Sequence, residues 1–273
     1  MKVCERMFLQ CFKPYVDRFL DPLQFAYQSG RSCEDAILVF LDRLYSHLER
    51  TRYGNSARVM VFYFSSAFNT IQPHVLANKL LNMMVPAGFV RWILDYLTNR
   101  SQYVRLSHSC RSRVIQSNTG APQGTVLAPF LFALCNSDCK FSEKDCNLVK
   151  FADDTAMTGL IVGHDDRAYL HQLDSFVNYC DSNFLDLNVA KTKEIITDFR
   201  KNSVLPPPVF IKGTEVKHIS SYKYLGVVMN NKLTWDDHVD VTIKKLHSRL
   251  YFVRKLSTFN LCSEILKIFY DAL

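Results

Sequence analysis

Two adjacent aspartates lie between two short apolar runs, and this pattern restricts the fold more than any other part of the sequence. Asp153 and Asp154 separate residues 148–151 from residues 156–162. Apolar runs of this length joined by a polar pair predict two strands connected by a tight turn. The two carboxylates would repel each other at one end of a hairpin, and a divalent cation such as Mg²⁺ would relieve that repulsion. Taken alone, the pair is more typical of a solvated turn.

The order of the surrounding elements predicts an α+β fold. Hydrophobic spacing indicates a strand over 59–64, a helix over 73–84, the hairpin of 148–162, a helix over 166–186 and a strand over 193–199. This order predicts an antiparallel sheet that is backed by helices on one face.

Capping and turn residues predict further elements outside this core. Ser32 and Asp35 form a capping-box motif ahead of a helix that reaches about residue 48. Alternation over 103–114 predicts an exposed strand pair, and the prolines at 206–208 predict a sub-domain boundary. A basic helix is predicted from about residue 236 to about residue 256.

The composition excludes several classes of protein. The 273-residue chain is 48% hydrophobic and 22% charged, which is typical of a globular protein and excludes disorder as its main state. No apolar stretch reaches the roughly 18–20 residues that a transmembrane helix needs, so we expect no membrane partner. The N-terminus lacks the apolar core of a signal peptide. We therefore expect an intracellular protein of the cytoplasm or nucleus, and not a secreted one.

Charge and cysteine content add two weaker indications. Residues 201–273 carry eleven Lys and Arg against six Asp and Glu, which is +5 of the net +7, and a basic face attracts phosphate backbones. A solvated, charged tail is the alternative. The nine cysteines include no Cys-x-x-Cys pair, and the group Cys135, Cys139 and Cys146 matches no common zinc pattern. We expect no structural zinc and reduced thiols.

Five further motifs accompany Phe151-Ala152-Asp153-Asp154. They occupy residues 24–32, 64–71, 120–129, 185–193 and 222–226. In this order and at these spacings, the six motifs resemble the reverse transcriptase domain of non-LTR (LINE-type) retrotransposons, from about residue 20 to about residue 260.

The resemblance implies a right-hand polymerase with a ferredoxin-like antiparallel palm, helical fingers and a truncated helical thumb. The implied boundaries are N-terminally truncated fingers at 1–56, palm at 57–84, a fingers insertion at 85–118, palm and primer grip at 119–231, and a partial thumb at 232–273. The family's endonuclease domain and C-terminal zinc knuckle are not expected in this chain.

The implied chemistry is RNA-directed synthesis of DNA from deoxynucleotides on an RNA template and a DNA primer. Two Mg²⁺ ions would activate the primer 3′-hydroxyl and stabilise the reacting phosphate. Asp153 matches the family's metal-binding aspartate, and Asp154 matches its flanking partner. Lys191 matches a lysine near the triphosphate that would protonate pyrophosphate, although a helix C-cap is the plainer interpretation.

Other residues match positions that contact nucleotide or nucleic acid. Phe68 would stack on the incoming sugar, or else belong to the core. The remaining matches are Gln123 and Gly124 at the incoming nucleotide, with Gly120 in the same loop, Arg31 at the triphosphate, Tyr224, Leu225 and Gly226 as the primer grip, and Lys244, Lys245 and Arg249 on a basic helix face along the duplex. That helix face could also be only solvated.

One position departs from the family in a way that bears on chemistry. The family's strand ends Asp-Phe-Ser-Ser-Ala-Phe, and here Tyr63 replaces the aspartate that bridges both metal ions. A phenol is neutral at pH 7 and a poor Mg²⁺ ligand. No Asp or Glu lies between Glu49 and Asp95 to substitute for it. The loss should cost at least ~4 kcal/mol of transition-state stabilisation, roughly a thousandfold in rate.

Two hypotheses follow from the resemblance and from Tyr63. The first is an RNA-directed DNA polymerase domain that is active or nearly so. The second, which we favour for the chemistry, is a catalytically dead relic or domesticated polymerase-like domain that at most binds nucleic acid. Gln28, where the family usually has an arginine, removes one phosphate donor and agrees with the second hypothesis.

Overall fold

The chain divides into two units, Met1–His218 and Ile219–Leu273, and each contains both helices and strands. The computed structural model describes residues 2–50, 54–107, 110–141, 144–200, 204–259 and 261–271. The first unit contains α1 (Lys2–Val16), α2 (Cys33–Arg50), β1 (Asn55–Phe62), α3 (Pro73–Asn82), α4 (Ala87–Leu97), β2 (Arg100–Gln102), β3 (Ile115–Ser117), α5 (Leu127–Cys135), β4 (Cys146–Phe151), β5 (Asp154–Val162), α6 (Arg167–Ser182), β6 (Lys193–Asp198), β7 (Phe210–Ile211), β8 (Thr214–Glu215) and β9 (Lys217–His218). The second contains β10 (Ser221–Tyr224), β11 (Val227–Asn230), α7 (Asp236–Ser257) and α8 (Ser263–Asp271).

A five-stranded sheet in the order β4-β5-β1-β6-β9 organises the first unit. Strand β1 pairs antiparallel with β5 and with β6, and β4 pairs antiparallel with β5. The short strand β9 adds to β6 in parallel. This antiparallel-rich sheet with its helices confirms the predicted α+β class. No helix in the described part of the chain is long and apolar enough to cross a membrane.

Both faces of the sheet are covered by helices. On one face, Met60 and Phe62 join the main core, where the rings of Phe62 and Phe176 of α6 lie 4.3 Å apart between centroids. On the other face, the alternating side chains of β1, Val59 and Val61, are also buried. Helix α2 packs on β1, β4 and β5. The prediction of helices on one face only was therefore wrong. The continuous apolar run of β1 is typical of a strand buried on both sides.

Local signals located several elements correctly. The Ser32 hydroxyl accepts a hydrogen bond from the Asp35 backbone N–H at 3.2 Å, and Asp35 Oδ2 accepts one from the Ser32 N–H at 2.8 Å. This reciprocal pair is a capping box, and α2 begins at the next residue, Cys33. The basic helix predicted over 236–256 is confirmed as α7.

Two other local predictions were wrong in position. The strands predicted over 103–114 lie just outside that range, since β2 and β3 pair at residues 100–102 and 115–117, while within it an isolated antiparallel bridge pairs Arg105 with Arg111. The two units divide between His218 and Ile219 and not at the prolines. The chain after the prolines returns to the first unit, since Val209, Ile211 and Val216 are buried in its core and β9 pairs with β6.

A buried network of charged groups joins β1, β6 and α6. Arg58 donates from Nε to Glu194 Oε1 at 2.8 Å and from Nη2 to Glu194 Oε2 at 3.1 Å. Its Nη1 lies 2.6 Å from Asp166 Oδ2, and the Tyr169 hydroxyl donates to Glu194 at 2.7 Å. Burial disfavours the charge on Arg58, but the hydrogen bonds and charge of Glu194 outweigh it and raise the pKa of the guanidinium. His218 Nε2 lies 2.8 Å from Glu194 Oε2 without hydrogen-bond geometry.

Replacing Arg58 should destabilise the fold strongly. Arg58→Met leaves the buried Glu194 carboxylate without its bidentate partner, which should lower the free energy of unfolding by about 3–5 kcal/mol. Urea unfolding followed by circular dichroism measures this change. Arg167→Met, which breaks the exposed pair with Asp165, is the matched control and should change stability far less, because solvent screens that pair. Equal losses of unfolding free energy in Arg58→Met and Arg167→Met would contradict a stabilising role for the buried Arg58–Glu194 pair.

Candidate functional site

The predicted hairpin is present, and its turn carries the two aspartates. Phe151 pairs with Asp154, so that Ala152 and Asp153 form the turn between β4 and β5. Ala152 has a φ of 58°, in the left-handed region. This tight turn places both carboxylates at the same end of the sheet.

The carboxyl of Asp154 is in an unfavourable electrostatic environment. Although its side chain reaches solvent, partial burial raises its pKa above the ordinary value, and the charge of Asp153 raises it further. Among the residues that the structure describes, neither carboxylate forms an ion pair. The turn therefore holds two carboxylates that have no ion-pair partner within the described ranges.

Tyr63 directly follows β1, at the end of the sheet that carries the aspartates. The last pair of the β1–β5 ladder joins Phe62 to Thr155, and one further step in the same register brings Tyr63 opposite Asp154. The backbone of Tyr63 is held by Asn188, whose N–H donates to the Tyr63 carbonyl at 2.8 Å. Its side chain is 42% exposed. The phenol thus lies next to Asp154 at the end of the sheet that carries both carboxylates.

Lys191 lies against this tyrosine. Its Nζ is 4.4 Å from the centroid of the Tyr63 ring, which is a cation–π contact. The Tyr63 backbone N–H also donates to Thr192 Oγ1 at 3.4 Å. The structure therefore brings Lys191 to the same end of the sheet as the aspartates, with its ammonium group over the phenol.

These residues do not fit a complete two-metal site. The carboxylates of Asp153 and Asp154 can supply oxygen ligands. The residue beside them, Tyr63, offers only a phenol, which lies beneath the Lys191 ammonium group. Across the described ranges, no group of three or more His, Cys, Asp or Glu side chains is placed to hold a metal ion.

Burial raises the pKa of Cys135 and of Cys139 to about 11, so both thiols stay protonated at neutral pH.

The loop that carries Gln123 and Gly124 is joined to the turn that carries Phe68. The Ala121 N–H donates to the Phe68 carbonyl at 2.9 Å. Gly120 has a φ of 71°, and a Cβ on it would lie 2.7 Å from the Asn69 Cα, so only glycine fits there. Gln123 and Gly124 are exposed, whereas Phe68 is half-buried with its ring centroid 4.7 Å from that of Phe132. Phe68 therefore belongs in part to the core.

Arg31 is exposed, and its guanidinium has a local partner. It donates to the Pro22 carbonyl, and its Cζ lies 5.1 Å from the centroid of the Phe25 ring. These contacts stay within residues 22–31. The structure thus does not bring Arg31 into contact with the aspartate turn.

Sequence reasoning missed two residues of the same segment that interact with the turn. The buried amide of Gln24 accepts a hydrogen bond from the Ala152 N–H at 3.0 Å. Burial raises the pKa of the Tyr27 phenol, and the charges of Asp153 and Asp154 raise it further. Tyr27 also has a φ of 63°. Both residues lie in the 24–32 motif, which was the available signal.

A buried ion pair fixes this segment to the edge of the sheet. Lys150 Nζ lies 2.6 Å from Asp21 Oδ2 and donates to the carbonyls of Asn136 at 2.8 Å and Cys139 at 2.9 Å. The Lys150 backbone N–H donates to the Leu23 carbonyl at 2.8 Å. The residues before α2 are therefore held beside β4, the strand that leads into the aspartate turn.

The remaining predicted residues belong to the second unit. Leu225 and Gly226 form the turn between β10 and β11 with φ angles of 46° and 93°, and the Tyr224 side chain is buried. The predicted contacts to the duplex backbone are exposed side chains on α7, namely Lys244, Lys245 and Arg249.

Comparison with family models gives two matches. Residues 1–229 match the model described as "Reverse transcriptase (RNA-dependent DNA polymerase)". Residues 235–273 match a second model, described as "Alkylated DNA repair protein alkB homolog 8, N-terminal". The first match covers most of the chain, and the second is confined to the region of α7 and α8.

Curated relatives agree with the first match. The chain is 23% identical over 249 residues to the "Probable RNA-directed DNA polymerase from transposon BS" of Drosophila melanogaster, covering 88% of this chain and 27% of the relative. It is 25% identical over 251 residues to the "RNA-directed DNA polymerase from mobile element jockey" of Drosophila funebris, covering 87% of this chain and 26% of the relative. The chain thus spans about a quarter of the length of these relatives.

Solved structures support the same fold. A structure of apo telomerase from Candida tropicalis, truncated from its C-terminal domain, is similar with a TM-score of 0.59 at 13% identity, covering 85% of this chain and 44% of that one. A second apo telomerase structure from that species has a TM-score of 0.59 at 12% identity, covering 86% and 40%. At these identities the likeness concerns the right-hand polymerase fold alone. The chain belongs to the reverse transcriptase (RNA-dependent DNA polymerase) family, and its curated relatives are polymerases of non-LTR retrotransposons.

Proposed function

We propose that this chain is the reverse transcriptase domain of a non-LTR retroelement with strongly reduced catalytic power. The observation that carries the proposal is the place of Tyr63, directly after β1 and opposite Asp154 in the ladder. A carboxylate at that place would complete the metal site with Asp153 and Asp154. The phenol cannot, because it is neutral at pH 7.

The contact with Lys191 strengthens this proposal. The ammonium group over the Tyr63 ring puts a positive charge beside the place where a cation would bind, and two like charges in proximity repel each other. Tyr63 therefore opposes metal binding in two ways. It supplies no carboxylate, and it holds the Lys191 ammonium group near the site. We expect only weak Mg²⁺ binding and a rate at least about a thousandfold below that of an intact site.

Binding of nucleotide and nucleic acid makes smaller demands on the site. Phe68 and the loop of Gln123 are held together by backbone hydrogen bonds, which supports a shared role at the incoming deoxynucleotide. The exposed basic residues of α7 suit the phosphate backbone of an RNA template paired with a DNA primer. The implied fingers, palm and thumb boundaries and an intracellular location are parts of the same proposal.

Restoring the carboxylate should restore metal binding and some synthesis. Tyr63→Asp supplies the missing ligand and frees Lys191 from the ring, whereas Tyr63→Phe keeps the ring and serves as the matched control. We expect Tyr63→Asp to bind Mn²⁺ more tightly than the parent and to extend a DNA primer on a homopolymer RNA template. Calorimetry and a primer-extension assay measure these two properties.

Two results would contradict this proposal. Robust extension by the parent chain would show that Tyr63 does not impair catalysis. A Tyr63→Asp variant with no gain in Mn²⁺ affinity would show that the site does not have the geometry given above. Gain by Tyr63→Phe as well would assign the effect to the hydroxyl group and not to the missing carboxylate.

Nucleic-acid binding should depend steeply on salt through the basic residues of α7. Each phosphate contact adds about 0.7 to 0.9 to the slope of log affinity against log salt concentration. Replacing Lys244, Lys245 and Arg249 by alanine should lower that slope for a labelled RNA–DNA hybrid in fluorescence anisotropy. Lys140→Ala, at an exposed site in the first unit, is the control. An affinity that does not depend on salt would contradict the prediction.

Neutralising Asp154 should stabilise the fold. A raised carboxyl pKa means that the ionised form is disfavoured in the folded state, so charged Asp154 lowers stability above its pKa and the penalty disappears as pH falls. Asp154→Asn should therefore have a higher Tm than the parent at pH 7 in EDTA, and the difference should shrink toward about pH 4. Asp174→Asn, at an exposed site on α6, is the control. An unchanged or lower Tm would contradict this.

A further inference from the structure

The loop between β3 and α5 is held at both ends by charged side chains that are distant in sequence. At its start, Arg100 Nη2 donates to the carbonyls of Thr119 at 2.6 Å and Gly120 at 2.8 Å. At its end, Glu5 Oε2 accepts from the backbone N–H groups of Val126 at 2.6 Å and Leu127 at 3.3 Å. Arg100 comes from β2 and Glu5 from α1, so two separate elements hold one loop.

Glu5 acts as the N-terminal cap of α5. The first N–H groups of a helix have no partner within the helix, and a carboxylate there is favoured by hydrogen bonding and by the helix dipole. Locally, Val126 makes no side-chain cap, and Thr125 Oγ1 accepts only from the Ala128 N–H at 3.3 Å. The N–H groups of Val126 and Leu127 are bound instead by Glu5, more than 120 positions earlier in the chain.

This long-range cap is a costly solution. The Glu5 side chain belongs to a residue that is only 1% exposed, and it forms no ion pair within the part of the chain that the structure describes. Burial of a carboxylate without a cation is unfavourable, and it occurs here although Thr125 already caps α5 in part. Burial also lowers the pKa of Arg100, which shows that the other end of the loop is held by a partly desolvated charge.

The loop has further contacts toward the turn of Phe68. The Gly120 N–H donates to the Ile71 carbonyl at 2.7 Å, and the Ala121 N–H donates to the Phe68 carbonyl at 2.9 Å. Within the loop, Thr125 Oγ1 donates to the Pro122 carbonyl at 2.8 Å. Gln123 and Gly124 are exposed in the middle of the loop, and Asn118 and Thr119 are exposed at its start. Its position is thus set from its two ends.

We propose that Glu5 and Arg100 are positioning residues that fix the position and orientation of this loop. Gln123 is thereby held where it contacts the incoming deoxynucleotide beside Phe68. Neither residue touches the nucleotide, and each acts through the backbone of the loop. This inference rests on the proposed function for the contact between Gln123 and the nucleotide. The brace on the loop itself is a separate claim that can be tested without any nucleotide.

The brace is tested by hydrogen–deuterium exchange on the full chain. Glu5→Ala and Arg100→Ala should each accelerate exchange of the backbone N–H groups in residues 120–127, by about tenfold for the cap at α5. Glu5→Gln keeps a neutral acceptor and should restore most of the protection. Glu49→Gln and Arg91→Ala, at exposed sites on α2 and α4, are the controls and should exchange as the parent does. Unchanged loop exchange in both alanine variants would overturn the proposal.

The consequence for the nucleotide is measured in the same variants. A fluorescent deoxynucleoside triphosphate with Mn²⁺ should bind about tenfold more weakly to Glu5→Ala and Arg100→Ala, while affinity for the RNA–DNA hybrid stays unchanged. In a Tyr63→Asp background, KM for the nucleotide should rise more than kcat falls, and Glu5→Gln should rescue KM. Altered loop exchange with unchanged nucleotide affinity would overturn the positioning role. Failure of the parent to bind nucleotide would instead contradict the proposed function. The hold of Glu5 and Arg100 on the loop would then be tested by hydrogen–deuterium exchange alone.

Discussion

The antiparallel pairing of β1 with β5 is the interaction on which the candidate site depends. Side chains alternate between the two faces of a strand, so a shift of one residue would move Tyr63 to the face opposite to that of Asp154. Burial of β1 on both faces prevents such a shift, because Val59 and Val61 pack toward α2 while Met60 and Phe62 pack toward α6. The register of a fully covered strand thus sets which side chains meet at this end of the sheet.

Charged groups in the interior connect the elements around this end. Arg58 joins β1 to β6 through Glu194, and Lys150 joins β4 to the segment before α2 through Asp21. Glu5 then caps α5 from α1. Each link spans more than a hundred residues of sequence and is directional, which apolar packing is not. The β4–β5 hairpin and the loop between β3 and α5 are therefore positioned more by hydrogen bonds of buried charged groups than by their own turn residues.

Tyr63 changes the chemistry of the site without disturbing the fold. It lies just beyond the last paired residue of β1, and its side chain is partly exposed, so a larger residue is accommodated there without repacking of the core. Its backbone keeps the hydrogen bonds to the segment that carries Lys191. The loss of a carboxylate that we propose at this position is therefore compatible with an intact fold, because the groups that hold the Tyr63 backbone are not the ones proposed to bind metal.

The sequence by itself determined the elements whose causes are local. The capping box of α2, the tight turn at Asp153 and the strands that flank it depend on neighbours a few residues apart, and the order of the motifs indicated the family. Only the tertiary structure decided which distant groups converge: the second helical layer on the sheet, the placement of Lys191 over Tyr63, and the cap that Glu5 provides to α5. Those contacts depend on packing between remote segments, and no short pattern of residues encodes the distance or the angle at which two such segments meet.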